Sequence, residues 1–150
     1  MTREVAPTLG WLKPAIIHSK FFPGLAGARS KMSASLSSTT IYVTDSPDVV
    51  ASKIKTHAVS GGQETIELHR QLGGNCEADV SFQYLTFFEP DDAVLAHYAA
   101  EFTAGRMTSM EMKQALIDVV VPMVLDFQRK RAAVTDEQVE AFMTIREIKP

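Results

Sequence analysis

The sequence predicts a mainly α-helical protein whose N-terminal part carries short strands, and three observations support this. From Ser46 onward, apolar residues recur at the spacing of one helix face. Strand-like runs, rich in β-formers and bounded by turn residues, occur only before that point. Helix-start patterns recur in the later part, at Ser46 before Pro47, Thr108 with Glu111, and Thr135 with Gln138.

In the first 45 residues we expect no helix and two strands, Pro14 to Ser19 and Thr40 to Asp45. The stretch between them, "FFPGLAGARSKMSASLSS", has glycine, proline and serine spread through it, which is typical of a loop. The pentapeptide Lys31 to Ser35, "KMSAS", hereafter the signature loop, therefore lies between two predicted strands.

The remaining chain should form one bundle of six helices between residues 46 and about 143. The predicted helices cover 46–57, 63–72 with a glycine stop at 73–74, 79–88, 90–105, a long one from 108 and a short one from 135. On the long helix, the predicted buried stripe is Met112, Leu116, Val119, Met123 and Phe127.

Composition limits the classes of function. The 150 residues are 45% hydrophobic, which is enough for a core, and the net charge is -3. Residues 1–44 hold five of the 15 basic residues and one of the 18 acidic residues. A polyanion would therefore be attracted to the first third of the chain rather than to the rest.

Other features argue against a secreted, membrane or metal-binding protein. Cys76 is the single cysteine, so neither an internal disulfide nor a cysteine-built zinc site is expected. The four histidines are too scattered for a metal site, and no apolar run approaches the roughly 18 residues of a membrane span. We expect a cytoplasmic protein with no metal site and no membrane partner.

The signature loop has two readings on its residues alone. A flexible, solvated loop explains lysine, serine and alanine in this context. A phosphate-binding loop explains them too, because small residues let the backbone approach an anion, Ser33 and Ser35 can donate hydroxyls, and Lys31 supplies a charge.

The loop and its surroundings resemble the second signature of class I aminoacyl-tRNA synthetases. Three longer stretches, "KPAIIHSKFFPGLAGARSKMSAS", "TDSPDVVASKIKTHAVSGGQETIELHRQLGGNCEADVSFQYLTFF" and "VTDEQVEAFMT", are similar to tryptophanyl-tRNA synthetases of the eukaryotic type. The similarity runs from about Arg3 to Arg146, and "GGNC" followed by "DVSFQYLTFF" favours tryptophan over tyrosine.

The resemblance implies a mainly α fold in two parts: residues 1–45 as the C-terminal edge of a class I Rossmann-type catalytic domain, and residues 46–150 as a helical anticodon-binding bundle. It implies that Lys31, Met32, Ser33 and Ser35 face ATP, with Lys31 and Ser33 acting in catalysis and Mg²⁺ arriving with the nucleotide. The family pattern of most class I enzymes has a second lysine where this chain has Ala34.

The resemblance also implies that Gly62, Gln63, Glu64 and Lys113 contact the anticodon of the tRNA for tryptophan. Gln63 and Glu64 stand where the human-like pattern has Arg and Asp, so the acid is kept and the cation is lost. On the residues alone, "HAVSGGQET" is explained by a capped helix start with glycine turns.

A class I synthetase also needs a His-x-Gly-His signature, and no histidine of this chain is followed by that pattern. The resemblance therefore implies the C-terminal portion of a tryptophan-tRNA ligase, with the tryptophan pocket in the absent part, a homodimer at full length, and an inactive isolated chain. The alternative is a non-catalytic helical module that binds tRNA or a protein partner.

Overall fold

The computed structural model describes residues 1–145, apart from the side chains at positions 28 and 29. It is mainly helical, as predicted, and its helices are α1 (Thr2–Thr8), α2 (Pro47–His57), α3 (Ile66–Leu72), α4 (Val80–Phe88), α5 (Asp92–Thr103), α6 (Ser109–Ala132) and α7 (Asp136–Met143). A short antiparallel hairpin joins β1 (Pro23–Gly24) to β2 (Gly27–Lys31). The last five residues of the predicted 46–150 domain, including Arg146, lie outside the described residues.

The capping predictions are confirmed. The Ser46 side chain accepts a hydrogen bond from the Val49 N–H at the start of α2; Asp79 caps α4 in the same way, although no cap was predicted there. Both α6 and α7 begin with a full capping box, from Thr108 and Thr135 respectively. Side-chain caps satisfy N–H groups that a helix cannot pair itself, so local sequence determines these starts.

Both predicted strands are wrong. Residues 14–19 and 40–45 have no strand partner among residues 1–145, and the strands instead lie within the stretch predicted as a loop. A strand exists only where its backbone groups pair with a neighbour, and β composition alone does not supply that neighbour. The head is also not free of helix, because α1 occupies residues 2–8.

The second helix begins later than predicted, at Ile66 rather than near Gln63. Thr65 is the cap, its side-chain oxygen accepting a hydrogen bond from the Leu68 N–H at 3.2 Å. The glycine stop is confirmed at Gly73, which has a φ of +73°. Glycine adopts this left-handed conformation at little cost in free energy. Residues 63–65 are therefore outside the helix, where their side chains are exposed.

One apolar core joins the hairpin to the bundle. The helix α6 packs against α2 and α4, and α4 also packs against both strands. Leu25, at the hairpin turn, is fully buried with Val50, Ile54 and Leu85. The Tyr84 hydroxyl donates to the Pro23 carbonyl oxygen at 2.7 Å, and burial raises the pKa of this phenol. The hairpin is thus packed against α4 and bonded to it.

The buried stripe of α6 differs in part from the predicted one. Met112 and Leu116 are buried as predicted, but Met123 and Phe127 are 46% and 47% exposed. Their places in the core are taken by Ile117, Val120 and Val124. The helix carries apolar residues on more than one side, so its neighbours α2 and α4 decide which side is buried.

Glu111 gives α6 a pH-dependent contribution to stability. Its carboxylate accepts the Thr108 N–H at 2.6 Å, and this backbone hydrogen bond, with that of the Thr108 hydroxyl, lowers the pKa of Glu111 in the folded chain. A lowered folded pKa adds stability above the unfolded pKa of about 4.3, which is lost as pH falls through the folded value.

We therefore expect Glu111→Gln to lower the free energy of unfolding by about 0.5 to 1 kcal/mol at neutral pH and by less near about pH 3. Urea unfolding at the two pH values measures the difference. Glu140→Gln, on the exposed face of α7, is the matched control and should change neither value. An equal loss from Glu111→Gln at both pH values would show that its charge is not involved.

Candidate functional sites: the signature loop and the glycine turn

The signature loop leaves β2 at Lys31 and turns at Ala34 and Ser35. Lys31, Ala34 and Ser35 are exposed, and the hydroxyl oxygens of Ser33 and Ser35 lie 2.8 Å apart. A cation and two adjacent hydroxyls on one short turn are donors suited to phosphate oxygens. The donor set of the loop therefore fits a polyphosphate.

Met32 has a different environment from the other loop residues. Its side chain packs against the core and lines an apolar cavity of about 260 Å³ with Phe22, Ile41, Tyr84 and Val124 among its neighbours. Met32 can therefore offer only its backbone to a ligand on the outer side of the loop. Its side chain fastens the loop to the core beneath.

The entry to the loop needs glycine at position 24. A Cβ built there would lie 2.9 Å from the Ser30 Oγ and 3.1 Å from the Met32 nitrogen. The Ser30 hydroxyl donates to the Gly27 carbonyl oxygen at 2.7 Å, which closes the hairpin one residue before Lys31. The hairpin thus determines where the exposed lysine begins the loop.

The second site is the turn Ser60–Gly62, hereafter the glycine turn. The Gly61 N–H donates to Asp79 Oδ2 at 3.0 Å, and the Gly61 carbonyl accepts from the Asn75 N–H at 2.8 Å. The Gly62 N–H donates to the Ser60 hydroxyl at 2.9 Å. Two of these bonds tie the turn to residues after α3 and the third closes the turn on itself, so its backbone is well fixed.

The glycine turn lies against the start of α6, the helix that carries Lys113. The hydroxyls of Ser60 and Ser109 are 2.5 Å apart, and a Cβ on Gly62 would overlap the Ser109 Oγ. Lys113 lies one helical turn after Ser109, with its ammonium donating to the Lys55 carbonyl oxygen at 2.8 Å. Burial lowers the pKa of Lys113, and the charge of Asp79 acts in the opposite direction.

The side chains of Gln63 and Glu64 differ in how they are held. The Gln63 amide donates to the Gly73 carbonyl oxygen at 2.9 Å, which directs it toward the end of α3. Glu64 is exposed between the glycine turn and the Thr65 cap. An exposed carboxylate can accept hydrogen bonds from an incoming ligand, whereas Gln63 would first have to leave Gly73.

Sequence reasoning missed two residues that support the glycine turn. Asp79 is fully buried, and its bond to Gly61 joins positions 18 residues apart. His69 is 4% exposed; its Nε2 donates to the Met107 carbonyl oxygen at 2.8 Å, and its buried Nδ1 has no partner among residues 1–145. A buried Asp before an apolar helix is a sequence signal for the first, but nothing local indicates the second.

Two further observations concern other kinds of site. Among residues 1–145, no three His, Cys, Asp or Glu side chains are arranged to hold a metal ion. None of the helices in that part of the chain is long and apolar enough to cross a membrane.

Comparison with known proteins identifies relatives over almost the whole chain. The family model for class I tRNA synthetases (W and Y) matches residues 1–124. The cytoplasmic tryptophan–tRNA ligase of Homo sapiens is 51% identical over 148 residues, which is 99% of this chain and 31% of the relative. That of Arabidopsis thaliana is 51% identical over 97% of this chain and 36% of the relative.

Solved structures show the same similarity. The tryptophanyl-tRNA synthetase from Giardia lamblia superposes with a TM-score of 0.88 at 37% identity, over 98% of this chain and 36% of that one. A product-bound parasite tRNA synthetase superposes with a TM-score of 0.87 at 40% identity, over 95% of this chain and 38% of that one. The chain thus spans about a third of the length of its relatives. With its signature loop, glycine turn and helical bundle, the chain belongs to the class I tRNA synthetase family for tryptophan and tyrosine.

Proposed function

We propose that this chain is the ATP-loop and anticodon-binding portion of a tryptophan-tRNA ligase. The observation that carries the proposal is that one family match covers both the signature loop and the glycine turn with Lys113. The whole enzyme would activate tryptophan with ATP and transfer it to the tRNA for tryptophan, in the cytoplasm as in the named relatives. It would act as a homodimer joined through its catalytic domains.

We propose a division near residue 45, with residues 1–45 belonging to the Rossmann-type catalytic domain and residues 46–150 to the anticodon-binding domain. Strong exposure of apolar side chains in the head supports this. Trp11, Leu12 and Ile17 are 71%, 77% and 97% exposed. Apolar residues exposed in such numbers are typical of a surface that packs against another part of a protein.

In the proposed activation step, the tryptophan carboxylate attacks the α-phosphate of ATP and pyrophosphate leaves. Negative charge builds on the transferring and departing phosphates. Lys31 and the Ser33 and Ser35 hydroxyls would stabilise that charge more in the transition state than in the ground state. Mg²⁺ would arrive bound to the phosphate oxygens, and the tryptophan pocket would lie outside this chain.

In the proposed recognition step, Glu64 accepts a hydrogen bond from the amino group of an anticodon cytosine. Lys113 contributes a cation from the first turns of α6, once its ammonium leaves the Lys55 carbonyl oxygen for the negatively charged RNA backbone or a base edge. Gln63 contributes less, because its amide is already bonded to Gly73.

The test is a titration of this chain with a transcript of the tRNA for tryptophan, beside one with a changed anticodon, at fixed salt. We expect tighter binding of the correct anticodon, and weaker binding of both transcripts by Lys113→Met. Equal or absent binding would contradict anticodon recognition by this chain and favour the alternative, a non-catalytic helical module that binds tRNA or a protein partner.

The same proposal predicts that the isolated chain does not catalyse tryptophan-dependent exchange of pyrophosphate into ATP, because half of the ATP site is missing. Detectable exchange by the pure chain would contradict it.

A further inference from the structure

Two carbonyl groups of the signature loop are held by side chains that follow it in the sequence. The Ser33 carbonyl oxygen accepts from the Leu36 N–H at 2.9 Å and from the Thr40 hydroxyl at 2.7 Å. The Ala34 carbonyl oxygen accepts from the Tyr42 hydroxyl at 2.9 Å. Both acceptors are therefore engaged by residues that follow the loop.

The direction of these carbonyls sets the direction of two N–H groups. In a planar trans peptide, the C=O of one residue and the N–H of the next point in opposite directions. The described chain has no cis peptide bond. The N–H groups of Ala34 and Ser35 consequently point away from Thr40 and Tyr42, on two exposed residues, and neither donates to another described residue.

The two side chains that hold the carbonyls are themselves held by α2. Lys53 donates to the Thr40 carbonyl oxygen at 2.8 Å and pairs with Asp45 at 2.7 Å. Its ammonium lies 4.8 Å from the centre of the Tyr42 ring, and the Tyr42 N–H donates to Asp45 Oδ2 at 2.9 Å. This network of Lys53, Asp45, Thr40 and Tyr42 is partly buried and is anchored in α2, so it can fix the orientation of the loop peptides.

We propose that Thr40 and Tyr42 are positioning residues that present the Ala34 and Ser35 N–H groups as hydrogen-bond donors to the phosphates of the nucleotide. Successive backbone N–H groups on one side of a turn form an anion-binding concavity. These two donors supply from the backbone part of what a second lysine would supply at position 34. The inference rests on the proposed function of the signature loop in ATP binding.

The experiment uses the whole chain, labelled with ¹⁵N, titrated with inorganic tripolyphosphate and observed by the amide resonances of Ala34 and Ser35. We expect both resonances to shift with saturation in the unmodified chain. Tyr42→Phe and Thr40→Val each remove one hydroxyl, and we expect each to raise the Kd about three- to tenfold.

Three controls separate positioning from folding. Thr40→Ser keeps a hydroxyl and should restore affinity. Thr39→Val removes the neighbouring hydroxyl, which donates to Leu36 instead, and should leave the Kd unchanged. Thermal unfolding of each variant, followed by circular dichroism, reports whether the fold is retained, since a purely structural role would change the unfolding temperature without changing the affinity of the folded chain.

The outcomes distinguish this inference from the proposed function. If Lys31→Met weakens binding but Tyr42→Phe and Thr40→Val bind as tightly as the unmodified chain, the positioning role is overturned while the phosphate role of the loop stands. If the unmodified chain shows no saturable shift at all, both are overturned. Weaker binding by the two variants, with rescue by Thr40→Ser, supports the inference.

Discussion

Replacing Gly61 with alanine is expected to lower the free energy of unfolding by about 3 kcal/mol or more. A Cβ at this position would overlap the carbonyl oxygen of Asn75 and lie 2.9 Å from the Asp79 nitrogen. Both are backbone atoms held by hydrogen bonds, so the overlap cannot be relieved by turning a side chain. Urea unfolding of the purified variant measures the loss.

The matched control is Gly10→Ala. Gly10 has a φ of +73°, but apart from its two chain neighbours no described residue has an atom within 4 Å of a Cβ built there. Its substitution therefore carries only the conformational cost of a left-handed residue, about 1 to 2 kcal/mol. If Gly61→Ala costs no more than Gly10→Ala, the glycine turn is not as tightly packed as the structure indicates.

Helix starts were predictable from sequence because they depend on neighbours in the chain. The capping residues Ser46, Asp79, Thr108 and Thr135 each accept a hydrogen bond from an N–H two or three residues later. Two starts were misplaced: α3 was predicted from near Gln63 but is capped by Thr65, and α5 was predicted from Pro90 but is capped by Asp91. Glycine and polar residues also precede Thr65, so the sequence does not show which residue caps α3. The folded backbone shows that it is Thr65.

Strands and buried faces were less predictable because they depend on residues far along the chain. The segment 40–45 has strand composition, yet its Thr40 and Tyr42 side chains bond to the signature loop and its backbone pairs with no strand among the described residues. On α6, Val119 and Val120 are equally apolar, and the packing of α2 and α4 decides that Val120 is buried.

In the candidate sites, too, local features were predictable from the sequence and long-range contacts were not. Lys31, Ser33 and Ser35 were predicted from a local motif; the Ser33 and Ser35 hydroxyls lie 2.8 Å apart, and their role stays a prediction. The supports of the two sites were not predictable, because Asp79 contacts Gly61 and Lys53 contacts Thr40 only through the fold. A motif identifies the groups that meet a ligand, whereas the residues that hold them come from distant sequence.

Replacing Glu64 with alanine is expected to remove most of the preference for the correct anticodon. If Glu64 accepts from a cytosine amino group, its loss should weaken binding of the correct transcript roughly tenfold or more, the usual effect of one base contact. Binding of the transcript with a changed anticodon should hardly change, because phosphate contacts, including any from Lys113, carry no sequence information. Titration of both transcripts at one salt concentration measures the two effects.

Glu67→Ala is the control for this prediction, because Glu67 is an exposed acid in the first turn of α3, three residues beyond Glu64. Both variants remove one negative charge, so a general electrostatic gain in RNA binding should be the same in each. Only a base contact makes Glu64→Ala lose affinity for the correct transcript alone. Equal behaviour of the two variants would therefore assign Glu64 to the solvated surface and leave anticodon discrimination to other residues.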